Sequence, residues 1–191
     1  MLKVVFMAAM LFAATTLSLT ARAEAIPATG SIEPLFTPWD DVEGAIIRAL
    51  AQAQKTIHVQ TYLLTSRSIT QALIAAKNRG IDITVLADRE MVRNGKSSKV
   101  SQLVAAGIPV YLETRYAVAH NKIILIDAQT SNGILLTGSY NFTWSAQARN
   151  AENLLIIRNN PRLLQRYFAN WQRHQEESQP YATLTEATHE S

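Results

Sequence analysis

The sequence predicts an α/β fold, an α-β-α sandwich with a mixed, largely parallel central sheet. Three observations carry this. Short β-rich apolar runs alternate with amphipathic helical stretches. Glycine (7) and proline (6) are scarce among 191 residues, which disfavours a loop-rich all-β chain. Two expected strands, 121–126 and 134–137, are separated only by a turn-rich segment, which calls for at least one antiparallel pair.

The elements follow in order. Residues 1–23 read as a secretory signal peptide. Lys3 gives a positive start, Val4–Leu19 is apolar apart from Thr15, Thr16 and Ser18, and Ala21-Arg22-Ala23 supplies a small-x-small cleavage site. Cleavage is expected before Glu24, with Ile26 as second choice, and no later stretch is long and apolar enough to span a bilayer. Residues 24–37, with Pro27, Gly30 and Pro34, read as an extended lead-in to a domain over 38–175. Asp40 or Asp41 caps a helix running to about Gln54, with Val42, Ile46, Ala49 and Leu50 on one stripe. A strand over Ile57–Leu64 follows. Ser66 or Ser68 opens a second helix that Gly80 stops. Ile81–Ala87 is a strand, Ser97 or Ser98 starts a shorter helix ending at Gly107, and Ile108–Leu112 is another strand. Strands at Asn121–Ile126 and Ile134–Thr137, a helix at Asn141–Arg149, a strand at Asn153–Ile157 and an amphipathic helix at Pro161–Gln175 complete the domain. Residues 176–191 read as a frayed polar tail.

Composition narrows the chemistry. A hydrophobic fraction of 48% excludes a disordered chain. The absence of cysteine excludes disulfide frameworks, thiolate metal sites and cysteine nucleophiles. The 18 Lys and Arg against 15 Asp and Glu leave +3, and export would remove Lys3 and Arg22, leaving +1. A nucleic-acid argument must therefore rest on local clusters.

The densest such cluster is His120-Asn121-Lys122, followed by Asp127, Gly138-Ser139-Tyr140-Asn141 and Glu152-Asn153. Residues two apart on an extended segment share a face, so His120 and Lys122 fall together. An imidazole beside a fixed ammonium suits attack on a phosphodiester, the cation offsetting charge on the phosphoryl oxygens. Asp127 falls on the other face, about 16 Å along the strand from Lys122 at ~3.3 Å per residue. It reads as a structural partner of turn amides or of a basic side chain. Ser139 and Asn141 stand where a strand turns into a helix, as helix caps or as anion ligands, and the neighbouring His120 and Lys122 favour the anion. Glu152 either fixes the tautomer of His120 or makes a surface salt bridge.

His120-x-Lys122-x4-Asp127, followed by Gly138-Ser139-x-Asn141 and Glu152-Asn153, resembles the signature of the phospholipase D superfamily, and in particular its small Nuc-type bacterial endonucleases with a single motif copy. The resemblance covers about residues 38–175. It implies that His120, Lys122, Asp127 and Glu152 form the catalytic set. His120 would attack phosphorus, Lys122, Ser139 and Asn141 would hold the non-bridging oxygens, and Glu152 would orient His120. No metal or other cofactor is implied. A second histidine would protonate the leaving oxygen. His58 lies within a strand, His174 at a helix end and His189 in the tail, so none suits that role, and a homodimer pairing two His120 side chains is the expectation.

The substrate reading rests on residues 89–99, where Arg89, Arg93, Lys96 and Lys99 stand against Glu90 in what reads as a flexible loop at a strand's carboxyl end. Tyr62, Tyr111, Tyr116 and Tyr140 are suited either to base stacking or to packing. The expectation is a periplasmic or secreted, sequence-nonspecific endonuclease acting on DNA, with RNA as a further candidate substrate, without stable membrane association after signal cleavage. The alternatives are a phospholipase D-type hydrolase of a lipid phosphodiester and a catalytically inactive nucleic-acid-binding module.

Overall fold

The computed structural model describes residues 24–95 and 97–182. The expected signal peptide, Lys96 and residues 183–191 of the expected tail lie outside the described residues.

The chain runs β1 (Ser31–Phe36), α1 (Val42–Ala51), β2 (Thr56–Thr61), α2 (Arg67–Asn78), β3 (Asp82–Asp88), α3 (Arg89–Asn94), α4 (Val100–Ala105), β4 (Val110–Glu113), β5 (Lys122–Ile126), β6 (Ile134–Gly138), α5 (Trp144–Ala148), β7 (Asn153–Arg158), α6 (Pro161–Glu176) and β8 (Gln179–Pro180). Side-chain caps decide where the helices begin. Asp41 accepts from the Gly44 amide, Ser66 from Ile69, Thr143 from Ala146 and Asn160 from Leu163. Neither of the serines expected to start the shorter helix is its N-cap: α4 begins at Val100, after Lys99, although the Ser98 hydroxyl accepts the Val100 amide at 3.4 Å.

The strands form one sheet in the order β1-β7-β6-β5-β2-β3-β4-β8. It is mixed, as expected, but not largely parallel. Among the described residues β2-β3 and β3-β4 are parallel and the other five pairings antiparallel. The βαβ crossovers of the first half give parallel neighbours, whereas β5, β6 and β7 form a meander that docks antiparallel on β2.

Two further differences have plain physical causes. The extended lead-in contains β1, which carries Pro34 because an edge strand can spare an amide. Residues beyond α6 add β8 to β4, and Tyr181 donates its amide to the Val110 carbonyl.

Side-chain alternation splits the core into two layers. Ile57, Val59, Ile83, Val85, Ile124 and Ile126 pack under α1, α2 and α4. Leu86, Ile123, Leu125, Leu135 and Ile157 pack under α6, where Trp171 donates its indole N–H to the Val59 carbonyl. All five residues of β5 are buried, as a strand covered on both faces requires.

Candidate active site

One end of this sheet collects the chemistry. Thr61 of β2 sits opposite Lys122 of β5, Ile123 opposite Thr137 of β6, and Gly138 opposite Leu154 of β7. The end of β2, the start of β5, the end of β6 and the start of β7 therefore lie side by side. His120 stands just before β5 rather than within it, and is exposed. Its carbonyl accepts from the Lys122 ammonium at 2.7 Å. Lys122 is only 4% exposed. Burial pushes its pKa below the ordinary lysine value, with the Glu152 carboxylate acting in the opposite direction.

Tyr62 packs on both residues. Its ring centroid lies 4.4 Å from that of His120, and the Lys122 nitrogen is 4.9 Å from the same ring. Ser139 follows β6 and Glu152 precedes β7. The Ser139 hydroxyl donates to Glu152 Oε2 at 2.6 Å and accepts from the Asn153 amide and side chain. Glu152 Oε1 accepts from Asn150 at 2.9 Å. Gly138 makes this juxtaposition possible, since a Cβ there would stand 2.2 Å from the Asn153 carbonyl oxygen. Asn141 is half-buried, and its Oδ1 has no hydrogen-bond partner among the described residues. Tyr140 between them is fully buried, and desolvation, with Glu43, Asp41 and Glu152 adding, holds its phenol well above the ordinary tyrosine range.

The sheet thus brings together His120, Lys122, Ser139 and Glu152, with Asn141 on the adjoining turn. The Glu152 carboxylate is engaged by Ser139 and Asn150 rather than by His120 of the same chain. Asp127 is elsewhere. At the far end of β5, with φ of 49°, it accepts the amides of Gln54, Lys55 and Thr56. It fastens the α1–β2 turn and touches no site residue, which removes it from the catalytic set.

The first part of the basic segment, Arg89–Asn94, is helical rather than a loop. Asp88 caps it into α3, and Arg89 and Arg93 both pair with Glu90, at 3.0 and 2.9 Å, so part of its positive charge is spent internally. Lys99 returns towards the site, its amide donating to Leu64, which bridges Phe142 just past Asn141. Lys96 lies outside the described residues. Among the remaining histidines, His58 packs edge-on against Phe168 and Trp171 under α6, and His174 bonds Glu113 at 2.6 Å.

Tyr62 is a contact that motif spacing does not reveal as a site residue. Tyr62 lies one residue past β2, and only strand pairing places it over His120. Among the described residues no group of three His, Asp or Glu side chains gathers with metal-ligating geometry, and no helix is long and apolar enough to cross a membrane.

A family model described as the PLD-like domain of cardiolipin synthase matches residues 46–174. A Rickettsia prowazekii protein named phospholipase D is 37% identical over 141 residues, which span 74% of this chain and 66% of that protein. The crystal structure of Nuc from Salmonella typhimurium, described as a phospholipase D family member, superposes with a TM-score of 0.73 at 28% identity, covering 79% of this chain and 97% of that one. NucT from Helicobacter pylori shares the fold, with a TM-score of 0.72 at 22% identity over 79% of this chain and 99% of the other.

Proposed function

The chain belongs to the phospholipase D superfamily of phosphodiester-cleaving enzymes, and we propose that it is an exported endonuclease that cleaves DNA or RNA through a phosphohistidine at a site shared by two copies. One observation carries the reading: an exposed imidazole, a buried ammonium and a Ser–Glu pair meet at one end of the sheet. Here His120 attacks phosphorus. Lys122, Ser139 and Asn141 stabilise the non-bridging oxygens as charge builds on them. The bond to the leaving oxygen breaks as the N–P bond forms, and the leaving oxygen takes a proton from His120 of the second copy. That imidazole then draws a proton from water, which attacks phosphorus and releases His120.

Two features support the second copy. The other described histidines are engaged elsewhere, His58 against Phe168 and Trp171 and His174 with Glu113 and Tyr116. Trp39 is 82% exposed, Trp144 58% and Phe36 49%, and Phe36 lies opposite Asn153 beside the site, so large apolar side chains remain for a second copy to cover. The resemblance of the signature to the Nuc-type endonucleases supports nucleic acid, and the likeness to Nuc extends over 97% of that chain. The Rickettsia relative's name supports a lipid phosphodiester as the second reading.

Incubation with plasmid DNA, RNA and phosphatidylcholine vesicles in excess EDTA tests this. Nucleic-acid cleavage that persists in EDTA and vanishes in His120→Ala is the expected result, and turnover of the lipid alone would move the assignment to the second reading. Mixing His120→Ala with wild-type chains tests sharing: full activity per wild-type subunit in the mixed dimers would refute it.

A further inference from the structure

The nucleophile assigned above belongs to no strand or helix, so something else must hold it. Asn121 offers its carbonyl to the Tyr62 amide at 2.9 Å, which ties the far side of His120 to the end of β2. On the near side, the Ala119 amide donates to Asp88 Oδ2 at 2.8 Å. Asp88 is the last residue of β3, is 3% exposed, and uses its other oxygen to accept the Met91 amide at 2.9 Å and so cap α3. In the sheet β2 lies between β3 and β5, so the Asp88–Ala119 bond reaches across the end of a strand to secure the loop.

We infer that Asp88 is a positioning residue that fixes the backbone of His120 and couples it to the basic helix α3. One carboxylate serves both. Oδ1 sets where Arg89 and Arg93 stand, and Oδ2 sets where the imidazole stands. A charged acceptor is suited to this, because two amides converge on it and each bond is charge-assisted. A helix cap alone would need only one of the two oxygens. The loop has a second anchor just past α6, since Glu177 accepts from Arg115 and from the Tyr116 hydroxyl, so removing the Asp88 tie frees residues 118–120 without releasing the whole segment.

The inference rests on His120 being the nucleophile, and substitutions separate the two jobs of Asp88. Asp88→Ser keeps a hydroxyl able to cap α3 but too short to reach Ala119. In Asp88→Asn the amide group opposes one N–H donor while the oxygen can still cap. Both variants are compared with wild type on bis(p-nitrophenyl) phosphate, which is too small to span α3, and by amide hydrogen exchange of the peptide covering residues 114–122. The expected result is a kcat lower by ~10–100-fold, the scale of a misplaced reacting group, with KM changed less than twofold and faster exchange in that peptide. Unchanged exchange, unchanged kcat, or a loss that tracks the unfolded fraction in urea would each overturn the inference. A wild-type protein that turns over no phosphodiester would instead overturn the functional reading, and the exchange measurement would then decide the tether by itself.

Discussion

Replacing Asp127 separates architecture from chemistry within the signature itself. Its carboxylate is 8% exposed and accepts three backbone amides, Gln54 at 2.8 Å on one oxygen and Lys55 and Thr56 at 2.8 and 2.9 Å on the other. In Asp127→Asn one oxygen can keep two of these bonds, now without the charge, while the amide group faces the remaining N–H. A hydrogen bond to a charged group is worth ~1.5–3 kcal/mol, and weakening the other two adds to that loss, so the variant should be ~2–4 kcal/mol less stable. Asn tolerates the left-handed φ of 49° at this position. Alanine does not, and it leaves all three amides without the carboxylate, so Asp127→Ala should cost more than Asp127→Asn. Against a typical stability of ~5–15 kcal/mol, the asparagine variant remains folded. Urea denaturation followed by tryptophan fluorescence measures the loss, and kcat is measured below the transition per folded molecule. Because Asp127 lies about 16 Å along β5 from Lys122, that kcat should stay within a few-fold of wild type. A 100-fold fall in kcat with an unchanged denaturation midpoint would refute the structural assignment.

Three other outcomes follow from the geometry. Lys122→Met should lower kcat by ~10²–10³-fold, the scale of one lost oxyanion donor, while raising the denaturation midpoint, because burial disfavours the ammonium in the fold; kcat within tenfold of wild type would remove Lys122 from the site. Gly138→Ala should force β6 from β7 and break the Ser139–Glu152 bond, costing ~1–3 kcal/mol in urea denaturation as well as activity, since its Cβ would meet the Asn153 oxygen at 2.2 Å. Desolvation raises the pKa of the buried Glu113 carboxyl above the ordinary value, against hydrogen bonds from Gln60 and His174. The folded state therefore holds that proton to higher pH than the unfolded chain does. This contribution to stability is full below the unfolded value and is lost as pH rises through the raised one. Glu113→Gln should flatten that part of the stability–pH curve.

The parts of the fold that depend on local pattern were legible, and those that depend on partner choice were not. Capping residues and apolar stripes located α1, α2 and α6, and the turn-rich segment 127–133 revealed the β5–β6 hairpin. Strand direction was harder. Nothing local to residues 121–126 says that they pair with β2, yet that choice makes the sheet mostly antiparallel. Pro34 reads as a loop signal because proline is excluded from central strands, and β1 escapes that rule at the edge. In the site, His120 and Lys122 were readable from their spacing. Tyr62 and Asp88 reach them from β2 and β3, so no motif contains them. Arg89 and Arg93 were visible as charge, but Glu90 had to be placed between them to show that the charge is partly spent.

The geometry also explains why the signature has its spacing. A single residue, Asn121, separates an exposed imidazole from a buried ammonium because the chain enters the sheet between them: His120 is still outside, and Lys122 is the first residue of β5. The four residues that follow are Ile123, Ile124, Leu125 and Ile126, the rest of β5, buried on both faces. Asp127 comes next because β5 ends there and the amides of the α1–β2 turn need an acceptor. The pattern therefore describes one strand with its reactive end on one edge of the sheet and its anchor on the other. A strand held at only one end could slide, and a slip of one residue would turn Lys122 to the opposite face. On this reading the aspartate keeps register for a cation at the other end of β5. The destabilised but folded Asp127→Asn variant should accordingly keep Lys122 paired with Thr61, and amide exchange along β5 would detect a shift in that pairing.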